Sequence, residues 1–353
     1  MKIPIKNIYY LLSYAWDFTS PGYEDYLTAD TFPDADNLLA RLMDISLESL
    51  FRRGLIKGYT EKEEEISGIK GKLLFNETLK QGSLQKAKTI CTFDEHSFDN
   101  PLNQIVKATL ILLLRTRTLD EQNISRIRRH LQRMELVASV DLQEALYRKV
   151  FFHSHNKYYR FVFELSRLIF RSVSISASNQ TVQLRNFLNS EAEMFRIFEF
   201  FVLNFYKREL VGVKVGRDSR LRWQVSHDND LFGDRVPELN TDISIFYPNE
   251  TLVIDTKFYV DALVSNRGKP KYRREHLSQL MEYLRISERE YKNPSRGFLL
   301  YPTVHQDIND SGRIEGFKIS VATIDLSKEW SEIKSKLLDM VQLESVAPKE
   351  TAA

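Results

Sequence analysis

The sequence predicts a two-domain protein of the α+β or α/β class. Its 353 residues are enough for two domains of roughly 100–200 residues each. Hydrophobic residues make up 42% of the chain and aromatic residues 12%, which is sufficient for packed cores. The first half has mainly helical spacing of apolar residues, and in the second half strands alternate with helices. We therefore expect a mainly helical N-terminal domain with a small β portion, then a C-terminal domain whose mixed central sheet is flanked by helices.

The N-terminal domain is predicted to cover residues 1–178. Apolar residues between positions 37 and 53 fall near one helical face, a pattern typical of a helix packed on a core. Further elements follow a break at residues 67–71. Strands are expected at 73–75 and 88–93, and helices at 101–114, 123–134 and 158–170. The polar, serine-rich stretch 172–183 is predicted to contain the domain boundary.

The C-terminal domain is predicted to cover residues 179–345, and a disordered tail is expected at 346–353. Ser190 and Glu193 fit a capping box that opens a long apolar helix. Strands are expected at 220–225, 242–246, 252–259, 297–301 and 317–324, and helices at 274–290 and 329–343. This order of elements predicts an α/β domain with a mixed sheet.

Composition excludes several classes of protein and site. The 50 basic and 48 acidic residues nearly balance, so any contact with DNA must come from local basic patches. A single cysteine, Cys91, excludes an internal disulfide and a cysteine-rich zinc site. The N-terminus lacks the features of a signal peptide, and no apolar run is long enough to span a bilayer. We expect a cytoplasmic protein without a membrane partner.

Chemistry-bearing residues are concentrated on one predicted β-hairpin. Asp242 lies at the start of its first strand, a turn follows at Pro248 and Asn249, and the second strand ends with Asp255 and Lys257. Side chains alternate along a strand, so the last two share a face, and the turn brings Asp242 beside them. Two carboxylates can hold Mg²⁺ through hard oxygen ligands, and the ion can activate water against a phosphodiester. The lysine can orient that water and stabilise the phosphate.

These residues resemble the core of the PD-(D/E)xK nucleases. The spacing D-x12-D-x-K matches, although Thr241 replaces the usual proline before Asp242. The resemblance implies a nuclease fold for the C-terminal domain, catalysis by Asp242, Asp255 and Lys257, and metal binding that includes Thr256. It adds three accessory residues. Gln279 and Tyr283 are similar to the QxxxY extension of the RecB-like branch, and Glu199 is similar to that branch's helix carboxylate.

A wider resemblance links most of the chain to the McrC subunits of McrBC restriction systems. It rests on residues 5–16, 68–72, 241–242, 255–259 and 301–302. It implies a Mg²⁺-dependent type IV restriction endonuclease subunit that cuts double-stranded DNA carrying modified cytosine. It also implies a partner, an McrB-like AAA+ GTPase hexamer, onto which the N-terminal domain docks and whose GTP hydrolysis it stimulates.

The sequence itself contains no G-x-x-x-x-G-K-[ST] phosphate loop, so we expect this chain to bind no nucleotide by that motif. Lys70 and Lys72 are candidate contacts to the partner. A basic loop after the second hairpin strand is a candidate DNA contact, the alternative being a solvated loop. Its residues are Arg267, Lys269, Lys271, Arg273 and Arg274.

Two other functions remain open from the sequence. One is a stand-alone RecB-like nuclease that needs neither partner nor GTP. The other is a non-catalytic adaptor that only regulates the GTPase ring. The intact set of Asp242, Asp255 and Lys257 favours catalysis over the adaptor.

Overall fold

A computed structural model describes residues 3–18, 35–175, 182–184, 190–224, 235–258, 263–266, 269–303 and 307–342. The predicted tail at 346–353 lies outside these residues. Among the helices in these ranges, none combines the length and apolar character needed to cross a bilayer.

The chain forms two compact units that divide it differently from the predicted boundary after residue 178. One unit covers residues 32–187, and the other combines residues 1–31 with 188–353. The difference arises from the first helix, α1 (Ile5–Ala15). Its Tyr14 packs against Phe201 and Phe205, and its Tyr10 stacks on Trp330 at 4.3 Å between ring centroids. Burial of these aromatic rings attaches the N-terminal helix to the C-terminal half of the chain.

The unit of residues 32–187 is mainly helical, with a small antiparallel sheet in the order β1-β3-β2. Its elements in chain order are α2 (Ala35–Arg53), β1 (Gly58–Ile66), β2 (Lys72–Leu73), α3 (Phe75–Lys80), β3 (Thr89–Ser97), α4 (Pro101–Leu114), α5 (Glu121–Gln132), α6 (Glu144–Arg148), α7 (Arg160–Ser172), β4 (Val173–Ile175) and β5 (Val182–Leu184). Short 3-10 helices cover Ser83–Lys86 and Lys157–Tyr159. The predicted helix at 101–114 is confirmed, with Asn100 accepting a hydrogen bond from the Asn103 amide as its N-cap.

The glycine-lysine segment before β2 has a structural explanation. Gly71 has a φ of +68°, and a Cβ there would lie 2.4 Å from the Thr92 carbonyl oxygen on β3. Only glycine tolerates both the conformation and the close approach. The strand predicted at 73–75 is wrong at its end, because Phe75 begins α3, whose Thr78 hydroxyl accepts from the Ile90 amide.

The other unit is built on a mixed sheet, as predicted, and the sheet has six strands. After α8 (Glu191–Glu209), its elements are β6 (Lys214–Gly216), β7 (Ile243–Phe246), β8 (Thr251–Thr256), β9 (Leu263–Asn266), β10 (Lys269–Tyr272), α9 (Arg274–Tyr291), β11 (Ser295–Thr303), β12 (Asn309–Ile314), β13 (Phe317–Asp325) and α10 (Trp330–Val341). The strand order is β12-β13-β11-β8-β7-β6, with β11 parallel to both β8 and β13. Every residue of β8 is buried, which is typical of a central strand covered on both faces.

Helix α9 lies unusually close to the sheet. A Cβ at Gly297 of β11 would approach the side chains of Leu280 and Leu284 to 2.8–2.9 Å. The glycine therefore lets α9 pack directly over β11, the strand beside β8. This packing fixes the position of α9 relative to the end of β8.

Two predictions for this unit are wrong. Residues 220–224 form no strand, because this segment is held by side chains instead: the Asp218 amide donates to Thr241 Oγ1, and Trp223 Nε1 donates to the Pro237 carbonyl. Residues 269–272 are not a loop but strand β10, paired antiparallel with β9. Alternating lysines at 269 and 271 leave no buried apolar face, so the hydrophobic pattern did not reveal the hairpin.

Candidate active site

The β7–β8 hairpin brings the predicted acidic residues together. Its strands pair antiparallel with Ile243 opposite Ile254, so Asp242, just before β7, lies across from the end of β8. Asp242 Oδ2 accepts hydrogen bonds from both Thr256 Nα (2.8 Å) and Thr256 Oγ1 (3.0 Å). These two bonds fix the orientation of the Asp242 carboxylate. Thr256, predicted to take part in metal binding, thus directs its hydroxyl at a carboxylate.

Asp255 near the end of β8 and Lys257 just after it form a buried ion pair. Lys257 Nζ lies 3.1 Å from each Asp255 carboxylate oxygen. The Asp255 side chain is fully buried, and that of Lys257 is 11% exposed. Asp255 Oδ2 is buried, and its neighbour among the described residues is the Lys257 ammonium at 3.1 Å, with no hydrogen bond of good geometry. A buried carboxylate is stabilised by a nearby cation, and a bound metal ion would add to the contribution of Lys257.

Burial strongly affects the ionisation of the acidic residues. Burial first, and then the nearby charge of Asp242, raise the pKa of Asp255 well above its ordinary value, although Lys257 opposes the shift. The same two causes raise the pKa of Glu199 to about 6, opposed by Arg217 and Lys257. Both carboxyl groups are therefore held more readily as neutral acids until a cation balances them.

A hydrogen-bond chain fixes the lysine from the α9 side. Lys257 Nζ donates to Gln279 Oε1 at 2.9 Å, Gln279 Nε2 donates to the Tyr283 hydroxyl at 3.1 Å, and that hydroxyl donates to the Asn240 carbonyl at 3.0 Å. The Asn240 carbonyl is only an acceptor, so the tyrosine must donate to it. This polarity fixes which end of the glutamine amide faces Lys257. The predicted pair of Gln279 and Tyr283 therefore lies at the site and orders the lysine.

Glu199 reaches the same region from α8 but does not join the two aspartates as a close ligand set. It forms an ion pair with Arg217, the residue after β6. The Arg217 guanidinium also lies 4.7 Å from the centroid of the Phe200 ring. Sequence reasoning missed Arg217, because it belongs to no motif and meets Glu199 only through folding.

Comparisons with known proteins place most of the chain in one family. A model of the McrBC 5-methylcytosine restriction system component matches residues 6–302, which is most of the chain. The chain belongs to the McrBC family. The resemblance to McrC subunits drawn from the sequence is therefore confirmed at the family level.

Individual McrBC relatives agree with this assignment. The chain is 29% identical to the type IV methyl-directed restriction enzyme EcoKMcrBC of Escherichia coli K12 over 338 residues, covering 96% of this chain and 97% of the relative. It also aligns with a solved assembly of Thermococcus gammatolerans McrB AAA+ hexamers with bound McrC. That match covers 96% of this chain and 76% of the other, with a TM-score of 0.52 and 18% identity. At this identity, the structural match shows a shared fold.

The ligand atoms that the hairpin offers fit a hard divalent cation. Asp242 and Asp255 supply carboxylate oxygens, and Asp255 Oδ2, which is ion-paired with Lys257 but accepts no hydrogen bond of good geometry from a described residue, can serve as a ligand. Among the described residues, a different group has three ligand atoms within 4.8 Å of one another, namely Asp44, Glu48 and His130. Glu199 is paired with Arg217 and does not belong to such a group among the described residues.

The other predicted contacts are distributed over two regions. Lys269 and Lys271 are exposed on β10, Arg273 is half-buried at the start of α9, and Arg274 is exposed beside it. Arg267 lies outside the described residues. These positions lie just before the helix that carries Gln279 or, for Arg274, at its first residue. Of the candidate partner contacts, Lys70 covers the Phe93 ring at 3.8 Å, and Lys72 is exposed on β2.

Removing the tyrosine hydroxyl tests the hydrogen-bond chain. Tyr283→Phe is expected to lower kcat for DNA cleavage about fivefold to tenfold, because the glutamine amide can then rotate away from Lys257. Gln279→Ala should have a similar effect, and the double variant should be no worse than either single variant, since both act through one chain. Steady-state cleavage rates measure these effects. Tyr247→Phe, which removes a hydroxyl bonded to the Val341 carbonyl, is the control. Additive losses of activity at 279 and 283 would contradict a single hydrogen-bond chain through both residues.

Proposed function

We propose that this chain is the DNA-cleaving subunit of a GTP-dependent restriction complex directed at methylcytosine. The observation that carries the proposal is the meeting of Asp242, Asp255 and Lys257 at the end of one hairpin. The McrBC family assignment supports it, because the matched E. coli relative is a methyl-directed restriction enzyme. In this reading, the chain hydrolyses phosphodiester bonds with the help of Mg²⁺.

Asp242 and Asp255 would hold the ion, with Thr256 keeping the Asp242 carboxylate aimed at it. A bound Mg²⁺ supplies Lewis-acid activation of water and neutralises charge that develops on the phosphate. Lys257 stabilises the negative phosphate and orients the attacking water, because its ammonium is fixed between Asp255 and Gln279. Asp255 must give up its proton for this role, and both a divalent ion and Lys257 favour the ionised form.

Glu199 is an accessory carboxylate in this proposal. It is close enough to Asp242 for their charges to interact, and Arg217 restrains it in the arrangement described here. Its raised pKa would let it exchange a proton near neutral pH. The exposed cations at 269, 271 and 274, together with Arg273 and Arg267, are proposed to contact the DNA backbone beside the cut.

The proposed partner is an McrB-like AAA+ GTPase hexamer. The aligned Thermococcus gammatolerans assembly contains McrB hexamers with bound McrC, and the match covers nearly all of this chain. We propose that the unit of residues 32–187 docks onto the ring and stimulates GTP hydrolysis, with Lys70 and Lys72 as candidate contacts. Guanine nucleotide would bind to the partner.

Asp255→Ala in the assembled complex tests the proposal. With the GTPase, GTP, Mg²⁺ and methylated DNA present, we expect cleavage to be lost while stimulation of GTP hydrolysis is retained, because residue 255 lies outside the proposed docking unit. Gel-resolved DNA products and released phosphate measure the two activities in the same reaction.

Two results would overturn or redirect the proposal. Unchanged cleavage by the Asp255→Ala variant would show that the hairpin is not the nuclease site and would favour the adaptor. Cleavage by the wild-type chain without partner or GTP would favour a stand-alone nuclease. Lys328→Ala, a change of an exposed residue after β13, serves as the matched control for both activities.

A further inference from the structure

Helix α5 presents a polar, arginine-bearing face to an open groove of about 640 Å³. The described residues that line the groove follow helical spacing along one face: Glu121, Ile124, Ser125, Arg128, Arg129 and Gln132. The opposite face of α5 is buried through Asn123, Ile127 and His130. The groove-facing side of this helix is thus an accessible surface that the unit's core does not use.

A buried acidic group on α2 holds several of the neighbouring arginines in place. Asp44 is almost fully buried, and it forms an ion pair with Arg41 and lies 3.7 Å and 3.6 Å from Arg126 and Arg129. Burial alone would raise the pKa of Asp44, but the His130 hydrogen bond and the nearby arginines lower it below its ordinary value. Asp44 is therefore held as an anion that serves as a counter-ion for the arginines.

A second carboxylate extends this support outward. Glu48 Oε1 lies 2.9 Å from Arg129, and Glu48 Oε2 lies 3.7 Å from Arg133, whose guanidinium stacks 3.9 Å above the Phe51 ring. The side chains of Arg129 and Arg133 nevertheless remain 57% and 42% exposed. Guanidinium groups restrained in this way lose less side-chain entropy when they bind a further anion.

By residue type, Asp44 and Glu48 could belong to a metal site. The arginines around them favour the binding of an anion instead. Asp44, Glu48 and His130 have ligand atoms within 4.8 Å of one another. Guanidinium groups already occupy the positions around them, and a divalent cation would face that positive charge. Four guanidinium groups lie within 4 Å of the two carboxylates, which leaves the cluster with a net charge of +2. They are those of Arg41, Arg126, Arg129 and Arg133, against Asp44 and Glu48.

We propose that this arginine face of α5 binds the phosphate backbone of double-stranded DNA, at a site separate from the nuclease residues. The inference rests on the proposed function in taking DNA as the substrate. From Ser125 to Gln132 the face is about 10 Å long, which spans about three phosphates along one strand at a rise of ~3.4 Å. Arg128 is its exposed centre and forms no ion pair with a described residue.

The side chains on this face favour DNA over an acidic protein surface. Serine, arginine and glutamine are types that commonly donate hydrogen bonds to phosphate oxygens. The cores of protein interfaces are enriched in aromatic residues and methionine as well as arginine, and among the described groove-lining residues only Ile124 is apolar and none is aromatic. A site of this kind reads no base sequence, so it would strengthen binding equally to modified and unmodified DNA.

Arg128→Ala tests the proposal, because this residue supports no other described side chain. In a full-length chain that also carries Asp255→Ala, affinity for a short duplex should fall about fivefold to tenfold at ~0.1 M salt. The slope of log affinity against log salt should become shallower by about 0.9, the value for one lost phosphate contact. Arg128→Glu should weaken binding further, and Arg128→Lys should retain most of it. Methylated and unmethylated duplexes should respond by the same factor.

Arg148→Ala is the matched control, since Arg148 is exposed on α6 in the same unit and forms no ion pair with a described residue. Unchanged affinity and salt slope in both Arg128→Ala and Arg128→Glu would overturn the proposal. So would absence of duplex binding by the parent chain at low salt. A loss of GTPase stimulation without DNA, at unchanged DNA affinity, would assign the face to the protein partner instead. The cleavage-deficient background separates these outcomes from the question of whether Asp255 serves the nuclease.

Discussion

Lys257→Met is expected to lower the rate of DNA cleavage by about 100-fold to 1000-fold, the range for losing one fixed charge donor at a reacting oxyanion. Methionine retains the length and apolar stem of lysine but cannot donate to Asp255 or Gln279. Single-turnover cleavage by the assembled complex measures the loss. Lys257→Arg should not restore the rate, because the planar guanidinium differs in shape and hydrogen-bond geometry from the ammonium.

The binding of metal should respond differently to the same substitution. Removing the ammonium takes away a positive charge next to Asp255, so affinity for Ca²⁺, used as a non-catalytic probe, should be retained or increased. Calorimetric titration measures this affinity. Near-normal cleavage by Lys257→Met would contradict a catalytic role for the lysine. A large loss of metal affinity would show that it acts by shaping the metal site instead. Lys328→Met is the matched control on the surface of the same unit.

Affinity for a divalent ion is expected to rise steeply with pH up to about neutrality. Burial and the charge of Asp242 raise the pKa values of both Asp255 and Glu199, the latter to about 6. A metal ligand must be deprotonated. Below the pKa of each such carboxyl, metal affinity therefore rises about tenfold for each pH unit. We expect the shift in melting temperature on adding Mg²⁺ to be small near pH ~5 and to reach a plateau above pH ~7. If Glu199 joins the metal ligands, Glu199→Gln should lower by one the number of protons released on metal binding, which is the slope of log affinity against pH.

The metal-free protein should show the opposite trend. An acid with a raised pKa in the folded state holds its proton more tightly there than in the unfolded chain, so folding stability falls as pH rises from the unfolded pKa towards the folded one. For Glu199, this fall in stability is expected at pH values between the ordinary pKa of a glutamate and its raised pKa of about 6. Melting curves with a chelator present measure this trend. A stabilisation by Mg²⁺ that does not depend on pH would contradict proton-linked binding at these carboxyls.

The sequence predicted the part of the site that depends on local geometry. Two strands joined by a short turn bring Asp242 to the end of β8, and the period of two places Asp255 and Lys257 on one face. Gln279 and Tyr283 follow the same logic, because i and i+4 share a helix face. Their contact with Lys257 also needs the close packing of α9 on β11, which no local pattern reveals.

Features set by long-range packing could not be predicted in the same way. Arg217 meets Glu199 only because β6 pairs with β7 beside α8. The first helix looks like part of the segment that follows it, yet its aromatic face is buried by residues about 190 to 320 positions later. The alternation at 220–225 resembled a strand, but buried Leu221 and the bonds of Asp218 hold that segment outside the sheet. Hydrophobic period alone does not identify the partner of a segment.

Asp242, Asp255 and Lys257 on the hairpin are proposed to form a divalent metal site for cutting DNA. An anomalous difference map from crystals of the full-length chain with Mn²⁺ tests it most directly. We expect a peak about 2.0–2.3 Å from carboxylate oxygens of both Asp242 and Asp255. A map with no peak there, or with its peak at Asp44, Glu48 and His130, would contradict it.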